Sequence, residues 1–264
     1  METKNKDQQV LSSVKNALRV LRSFSMDEPE KTISDLAVSL GLGKSTVSRL
    51  MSTLASEEFV IKDPDTHRFR LGLSVLTLGG IITSNLEINK EAAPVVNHLV
   101  NDLDETAHLA ILDGTDTIYI HKEECNHSIR ILTYLGKRNP AYCTSSGKVL
   151  LAHSDEDVVE KVVENGLEKY AKNTITDPNK LCSALKKIKE RGYASSTDEI
   201  LEGVTSIAAP IRNYTGKVVA AITVVGPSQR IRQHKIPIYA KKIMDASKEA
   251  SERLGYDDRY RMNF

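Results

Sequence analysis

Residues 33–53 read ISDLAVSLGLGKSTVSRLMST, and this stretch decides the fold of the N-terminal part. Leu36, Ala37 and Leu40 share one helical face, Gly41 stands where the chain must bend, and Leu42, Val47 and Leu50 resume an apolar face. The small Ala37 lets a second helix cross closely. Gly41 accepts the left-handed conformation that a sharp helix-to-helix turn needs. The second helix would then present Lys44, Ser45, Thr46, Ser48, Arg49, Ser52 and Thr53 outward. Short hydroxyls and cations suit base edges and phosphates in a major groove. The pattern predicts a helix-turn-helix whose second helix is the reader, with Ser45, Thr46 and Arg49 toward bases and Lys44 toward phosphate.

The flanks extend this unit. Val10, Leu11, Val14, Ala17, Leu18, Leu21 and Phe24 follow a helical period that ends before Pro29, after a polar tail at residues 1–9. Such a helix packs on the helix-turn-helix by one strip and leaves a second strip for a dimer contact or for further core. Downstream, Phe59-Val60-Ile61 and Arg68-Phe69-Arg70-Leu71 bracket a Pro-Asp turn, so a hairpin is expected there. A hairpin after a recognition helix is a wing, and it places His67, Arg68 and Arg70 as candidates for the phosphate backbone or minor groove.

Composition narrows the classes without choosing among them. The chain has 264 residues, enough for two ordinary domains, and its net charge is +1. Residues 1–72 carry eleven Lys and Arg against ten Asp and Glu, so DNA contact must come from placed cations and not from a basic field. Cys125, Cys143 and Cys182 are widely spaced, which disfavours a disulfide framework or zinc ribbon and fits a reducing cytosol. The polar start METKNKDQQ has no signal-peptide core, and Leu71 to Ile82 is too short and interrupted to span a bilayer. A soluble cytoplasmic protein with no membrane contact is expected.

The boundary is expected within a linker helix at 73–86, separating a DNA-binding domain at 10–72 from a second domain at 87–256. Glu91 to Leu103 reads as a helix in which Pro94 is tolerated only in the first turn. Strands are expected at Ala107–Leu112, Thr117–His121, Ser128–Leu135, Tyr193–Ser196, Thr205–Arg212 and Val218–Val225. Helices are expected at Ser145–Ala152, Asp155–Glu164, Pro178–Arg191 and Lys235–Leu254. Antiparallel hairpins with flanking helices indicate an α+β fold built on one sheet. Thr144-Ser145-Ser146-Gly147-Lys148 opens a helix with hydroxyls and free backbone N–H groups, which is either an N-cap alone or a seat for a carboxylate.

The ordered pieces LGLGKSTVSRL (40–50), RFRLG (68–72), PAYCTSSGKVLLA (140–152), GYASSTDE (192–199), GVTSIAAPI (203–211) and AAITVVGP (220–227) resemble the IclR family of bacterial transcription regulators. The resemblance spans residues 10 to 256. It implies a winged helix-turn-helix, a helical linker and a C-terminal GAF-like α/β effector-binding domain with an antiparallel sheet. It also implies a DNA operator, a homodimer or dimer of dimers, no cofactor, and control by a small metabolite such as an organic acid. The family's effector contacts fall on Ser145, Ser146, Ser196, Ser206 and Thr223, with walls at Ile131, Leu135 and Asn139. Ser196 stands where many members carry an acid and Ser206 where many carry Cys, so the ligand's identity is open while the pocket's place is not.

Other chemistries fit these residues less well. Gly43-Lys44-Ser45 lacks the first glycine of a phosphate loop, since position 38 is Val38. Ser145-x-x-Lys148 matches the nucleophile motif of penicillin-binding enzymes, but its partner motifs are missing, so no catalytic residue is assigned. His121, Cys125 and His127 are near in sequence, but a strand running into a loop would not hold all three on one side. The alternative function is a metal- or ligand-binding module with a residual Ser-x-x-Lys site, its helix-turn-helix serving protein contact.

Overall fold

The computed structural model describes residues 11–128, 131 and 133–257. They form two compact units divided between Asn85 and Leu86. The N-terminal unit holds α1 (Ser12–Arg22), α2 (Ile33–Leu40), α3 (Lys44–Ser56), strands β1 (Val60–Lys62) and β2 (Phe69–Leu71), and α4 (Leu73–Asn85). Thr32 and Asp35 form a reciprocal capping box on α2, which fixes where that helix begins. Gly41, at φ +66°, ends it, and its left-handed backbone turns the chain into α3. Val20, Leu36, Val47 and Met51 are fully buried and hold the three helices together. Arg19 adds a tie, donating from Nη2 to the Leu40 carbonyl at 2.9 Å. β1 and β2 pair antiparallel, and Lys31 adds a backbone bridge to Phe69.

The second unit is α+β. A six-stranded antiparallel sheet runs in the order β5-β4-β3-β8-β7-β6. Its strands are β3 (Thr106–Asp113), β4 (Asp116–Glu123), β5 (Arg138–Pro140), β6 (Ala194–Thr197), β7 (Val204–Arg212) and β8 (Val218–Pro227). The alternation of each strand sets its two faces. Ala107, Leu109, Ile207, Ile211, Ile222 and Val224 pack on one side against α5 (Glu87–Leu103) and α9 (Ile236–Arg253). Ala194, Ala208 and Ala221 turn the other way, against α6 (Ser145–Ala152) and α8 (Pro178–Arg191), with α7 (Glu156–Glu164) beside them. Small residues on this face let α6 sit close to the sheet, and all eight α6 residues are buried.

Two expectations need correction. The helix expected from Glu91 begins at Glu87, which puts Pro94 well inside α5 and not in its first turn. An internal proline costs about 3 kcal/mol. Burial of Ile88, Ala92, Val95, Val96, Leu99 and Val100 against the sheet outweighs that, since one fully buried aliphatic side chain contributes about 1.5–3 kcal/mol. The strand expected at Ser128–Leu135 is absent among the described residues, with 129, 130 and 132 lying outside them. A turn at Gly136 (φ +79°) donates its N–H to the Tyr119 carbonyl, and the short β5 takes the sheet edge in its place. No helix among the described residues is long and apolar enough to cross a membrane.

Gly147 sets how closely α6 approaches the short 3-10 turn at Ala141–Cys143, because a Cβ there would lie 2.1 Å from the Ala141 carbonyl oxygen. Gly41, by contrast, has no atom within 4 Å of its added Cβ. Gly147→Ala is therefore expected to cost at least about 3 kcal/mol through backbone collision, and Gly41→Ala only about 1 kcal/mol through unfavourable φ. Urea unfolding of the two full-length variants checks the order.

Candidate functional site

Two sets of residues carry the chemistry, one in each unit. In the first, Lys44, Ser45, Thr46, Arg49 and Ser52 are exposed along α3, while Ser48 is half-buried beside Val47. Gly43 caps α3 without any side-chain hydrogen bond, which leaves the first N–H groups of the helix unused. Lys44 and Ser45 stand at that positive end, where phosphate oxygens are favoured. On the wing, Asp63 Oδ1 accepts from the backbone of Asp65 and Thr66 and folds the turn. His67 (φ +55°) then reverses the chain, and Arg70 pairs with Ile61 next to the buried Phe69, which pairs with Lys62. His67, Arg68 and Arg70 are all exposed. Lys44, Arg49, Arg68 and Arg70 make no side-chain hydrogen bond or ion pair among the described residues, so these cations are free for an external anion.

In the second unit, Thr144 Oγ1 accepts from Gly147 N at 3.0 Å and is the N-cap of α6, which places Ser145 and Ser146 in its first turn. Ser145 Oγ donates to Ser206 Oγ at 2.8 Å. Ser206 is paired across the sheet with Ser196 on β6 and Val225 on β8. Two residues along β8, Thr223 faces Ala208 on β7 and His108 on β3. Ser145, Ser146, Ser196, Ser206 and Thr223 are thus collected at one end of α6 and on the sheet face it covers. Of the expected walls, Asn139 is buried on β5 and Ile131 is half-buried, whereas Leu135 is 54% exposed.

His108 went unassigned in the sequence reading. It alternates with Ala107 and Leu109 on β3, and its pairing with Thr223 depends on a register that one sequence does not reveal. The ring is fully buried, stacks on Tyr119 with centroids 4.4 Å apart, and has Nε2 2.5 Å from Thr133 Oγ1. Burial, reinforced by Lys122, Lys137 and His121, holds its pKa down at about 3.

Lys148 is engaged within the fold. Its Nζ bonds Glu199 Oε1 at 2.5 Å and the Ser195 carbonyl at 3.1 Å, and Ser145 is engaged with Ser206 instead. Burial pulls the ammonium down and pushes the Glu199 carboxyl up, and their mutual contact works against both shifts. Lys148 and Glu199 thus form a buried clasp between α6 and the chain after β6. The three residues considered for metal also part ways: His121 bonds Glu123, Cys125 lies against Thr106, and His127 bonds Asp104.

The depressed His108 pKa makes stability depend on pH. The unfolded chain takes up the proton near pH 6.5, while the fold refuses it down to about 3. Stability from this residue is complete above 6.5 and lost as pH falls through that window. Between pH 7 and 5 the wild type is expected to lose about 2 kcal/mol more than His108→Phe, measured by urea unfolding at each pH.

Comparison with known proteins shows the family. The IclR helix-turn-helix domain description matches residues 13–64, and the bacterial transcriptional regulator IclR C-terminal description matches residues 81–252. The HTH-type transcriptional regulator KdgR of Escherichia coli K12 is 30% identical, with 94% of each chain covered. The HTH-type transcriptional repressor AllR of Salmonella typhi is 29% identical over 92% of this chain and 90% of that one. A crystal structure of an IclR homolog complexed with 4-hydroxybenzoate, from Microbacterium hydrocarbonoxydans, superposes with a TM-score of 0.80. It is 26% identical and covers 92% of this chain and 99% of its own. The chain belongs to the IclR family of bacterial transcriptional regulators.

Proposed function

We propose that this protein is a sequence-specific repressor that binds its operator as a homodimer or dimer of dimers and releases it when an organic acid binds the second unit. The observation that carries the DNA half is that Lys44 and Arg49 on α3 and Arg68 and Arg70 on the wing are exposed and have no side-chain partner among the described residues. In this reading Ser45, Thr46 and Arg49 meet base edges, with Ser48 and Ser52 along the same helix. Lys44, His67, Arg68 and Arg70 hold phosphates. The near-neutral charge of the unit fits a protein that gains specificity from placement and little from a general field.

Self-association is supported by apolar surface the unit leaves uncovered. Leu11, Val14 and Leu18 on and before α1 are 69%, 52% and 49% exposed. Leu73, Leu76, Leu78, Ile81 and Ile82 on α4 are at least half exposed. A helix apolar on several sides belongs in an interior, and a second copy supplies one. Two copies also give the two recognition helices that a two-fold operator requires, about 34 Å apart.

For the ligand, the first turn of α6 with Ser145 and Ser146 offers a carboxylate seat, and Ser196, Ser206 and Thr223 offer hydroxyls around it. Ile131 and Leu135 remain the proposed apolar walls. The relative holding 4-hydroxybenzoate supports an acid ligand. The Lys148–Glu199 contact supports a regulatory reading over an enzymatic one.

A gel shift on DNA upstream of the protein's own gene tests the proposal. Arg49→Ala is expected to weaken operator binding by about 1–3 kcal/mol and leave random-DNA binding nearly unchanged. Equal loss on both would reduce Arg49 to an electrostatic contact, and no preferred site at all would overturn the function. Leu76→Glu is expected to shift the sedimenting species toward monomer and to weaken operator binding with it. An unchanged oligomer would remove α4 from the interface.

A further inference from the structure

Two buried polar atoms on neighbouring strands have no partner among the described residues. His108 and Thr223 face each other directly across β3 and β8, and they are 0% and 2% exposed. Neither His108 Nδ1 nor Thr223 Oγ1 makes a hydrogen bond among the described residues. A buried polar group left unpaired costs about 1–3 kcal/mol, so two side by side point to an external partner. The ring is not free to seek one elsewhere. Tyr119 lies flat against it at an interplanar angle of 10°, and Thr133 holds its other nitrogen.

We propose that His108 Nδ1 and Thr223 Oγ1 form a subsite that reads a hydroxyl group of the effector, so that the regulating ligand is a hydroxy acid. The proposal rests on the reading of the α6 start as the carboxylate seat. The ligand's carboxylate lies at Ser145 and Ser146, and its hydroxyl reaches the histidine and threonine on the sheet.

The chemistry of the pair selects this group over others. A hydroxyl donates one hydrogen bond and accepts another, and a neutral imidazole beside a threonine can meet both needs. The Thr133 hydroxyl can donate to Nε2 or accept from it, so either tautomer of His108 is available and the ligand hydroxyl is met in either sense. A second carboxylate would be buried against uncharged groups. The nearby Lys122 ammonium is already held by Glu124 and the Thr133 carbonyl, both at 2.5 Å. A hydrogen or methyl in the same place would leave both protein atoms unpaired, which is the strongest form of discrimination a small site achieves.

Calorimetric titration of the full-length protein with matched acids tests this. The probes are propanoate against lactate, butanoate against 3-hydroxybutanoate, and benzoate against 3-hydroxybenzoate. At least one hydroxy acid is expected to bind about tenfold or more tighter than its partner lacking the hydroxyl. His108→Phe keeps a ring against Tyr119 and should bring that ratio to within about twofold while sparing the unsubstituted acid. Thr223→Val should also bring that ratio to within about twofold and stands in if His108→Phe does not fold. Equal affinity within every pair overturns the subsite and leaves the carboxylate seat standing. A hydroxyl preference that survives both substitutions also overturns it. If no acid binds, the seat at α6 and the subsite fall together.

Discussion

The second unit depends on a buried ion pair that fastens one helix to one loop. Lys148 sits on α6 and Glu199 follows β6, and their side chains are 4% and 10% exposed. Such a pair is a poor source of net stability, because removing both charges from water costs nearly what their contact returns. Its worth lies in geometry. With Lys148 also holding the Ser195 carbonyl, α6 cannot rotate or slide without leaving a charge buried alone. Thr174 secures the loop from the far side by donating to the Glu199 carbonyl at 2.5 Å. The clasp sits one turn from Ser145 and Ser146, so the helix start is held in one place over Ser206.

The DNA-facing unit solves the same problem with local structure. The capping box on α2, the left-handed Gly41 and the Arg19 tie to Leu40 each act within a short span of chain. Together they set the crossing of α2 and α3 with little core, since few side chains in this unit are fully buried. Lys44, Arg49, Arg68 and Arg70 are left out of these contacts. A reader whose charges also served the fold could not exchange them for phosphates without losing stability.

Local order is also why this unit was the more legible half. The helix-turn-helix, its glycine and the outward row on α3 follow from periodicity and turn chemistry alone. In the second unit the strand pairs β3–β4 and β7–β8 were readable for the same reason. Long-range facts were not. The start of α5 was misplaced because Pro94 argued locally for a later beginning, while the sheet it packs against is assembled far along the chain. The strand expected at Ser128–Leu135 was lost to a turn whose value lies in its contact with β4. Ser145, Ser196, Ser206 and Thr223 could be collected by family likeness, since the motifs around them are continuous. His108 belongs to no such motif, and only the β3–β8 register shows that it stands against Thr223.

That register bears on how a ligand would be felt beyond its own pocket. A carboxylate seated only at α6 would touch a helix already clamped by Lys148 and Glu199, which can yield little. A group bound at His108 acts instead on β3, whose opposite face carries Ala107 and Leu109 against α5. α5 is joined to α4, the last helix of the DNA-facing unit, through Leu86 alone. Regulation requires a ligand to bind one arrangement better than another, and tightness alone shifts nothing. On the proposed division, α6 supplies affinity that is nearly the same in any arrangement. The β3 subsite, at the head of the chain's path back to α4, supplies the difference. A ligand that fills only the first is then a poor effector however well it binds, and the hydroxyl becomes the part of the molecule that carries the signal.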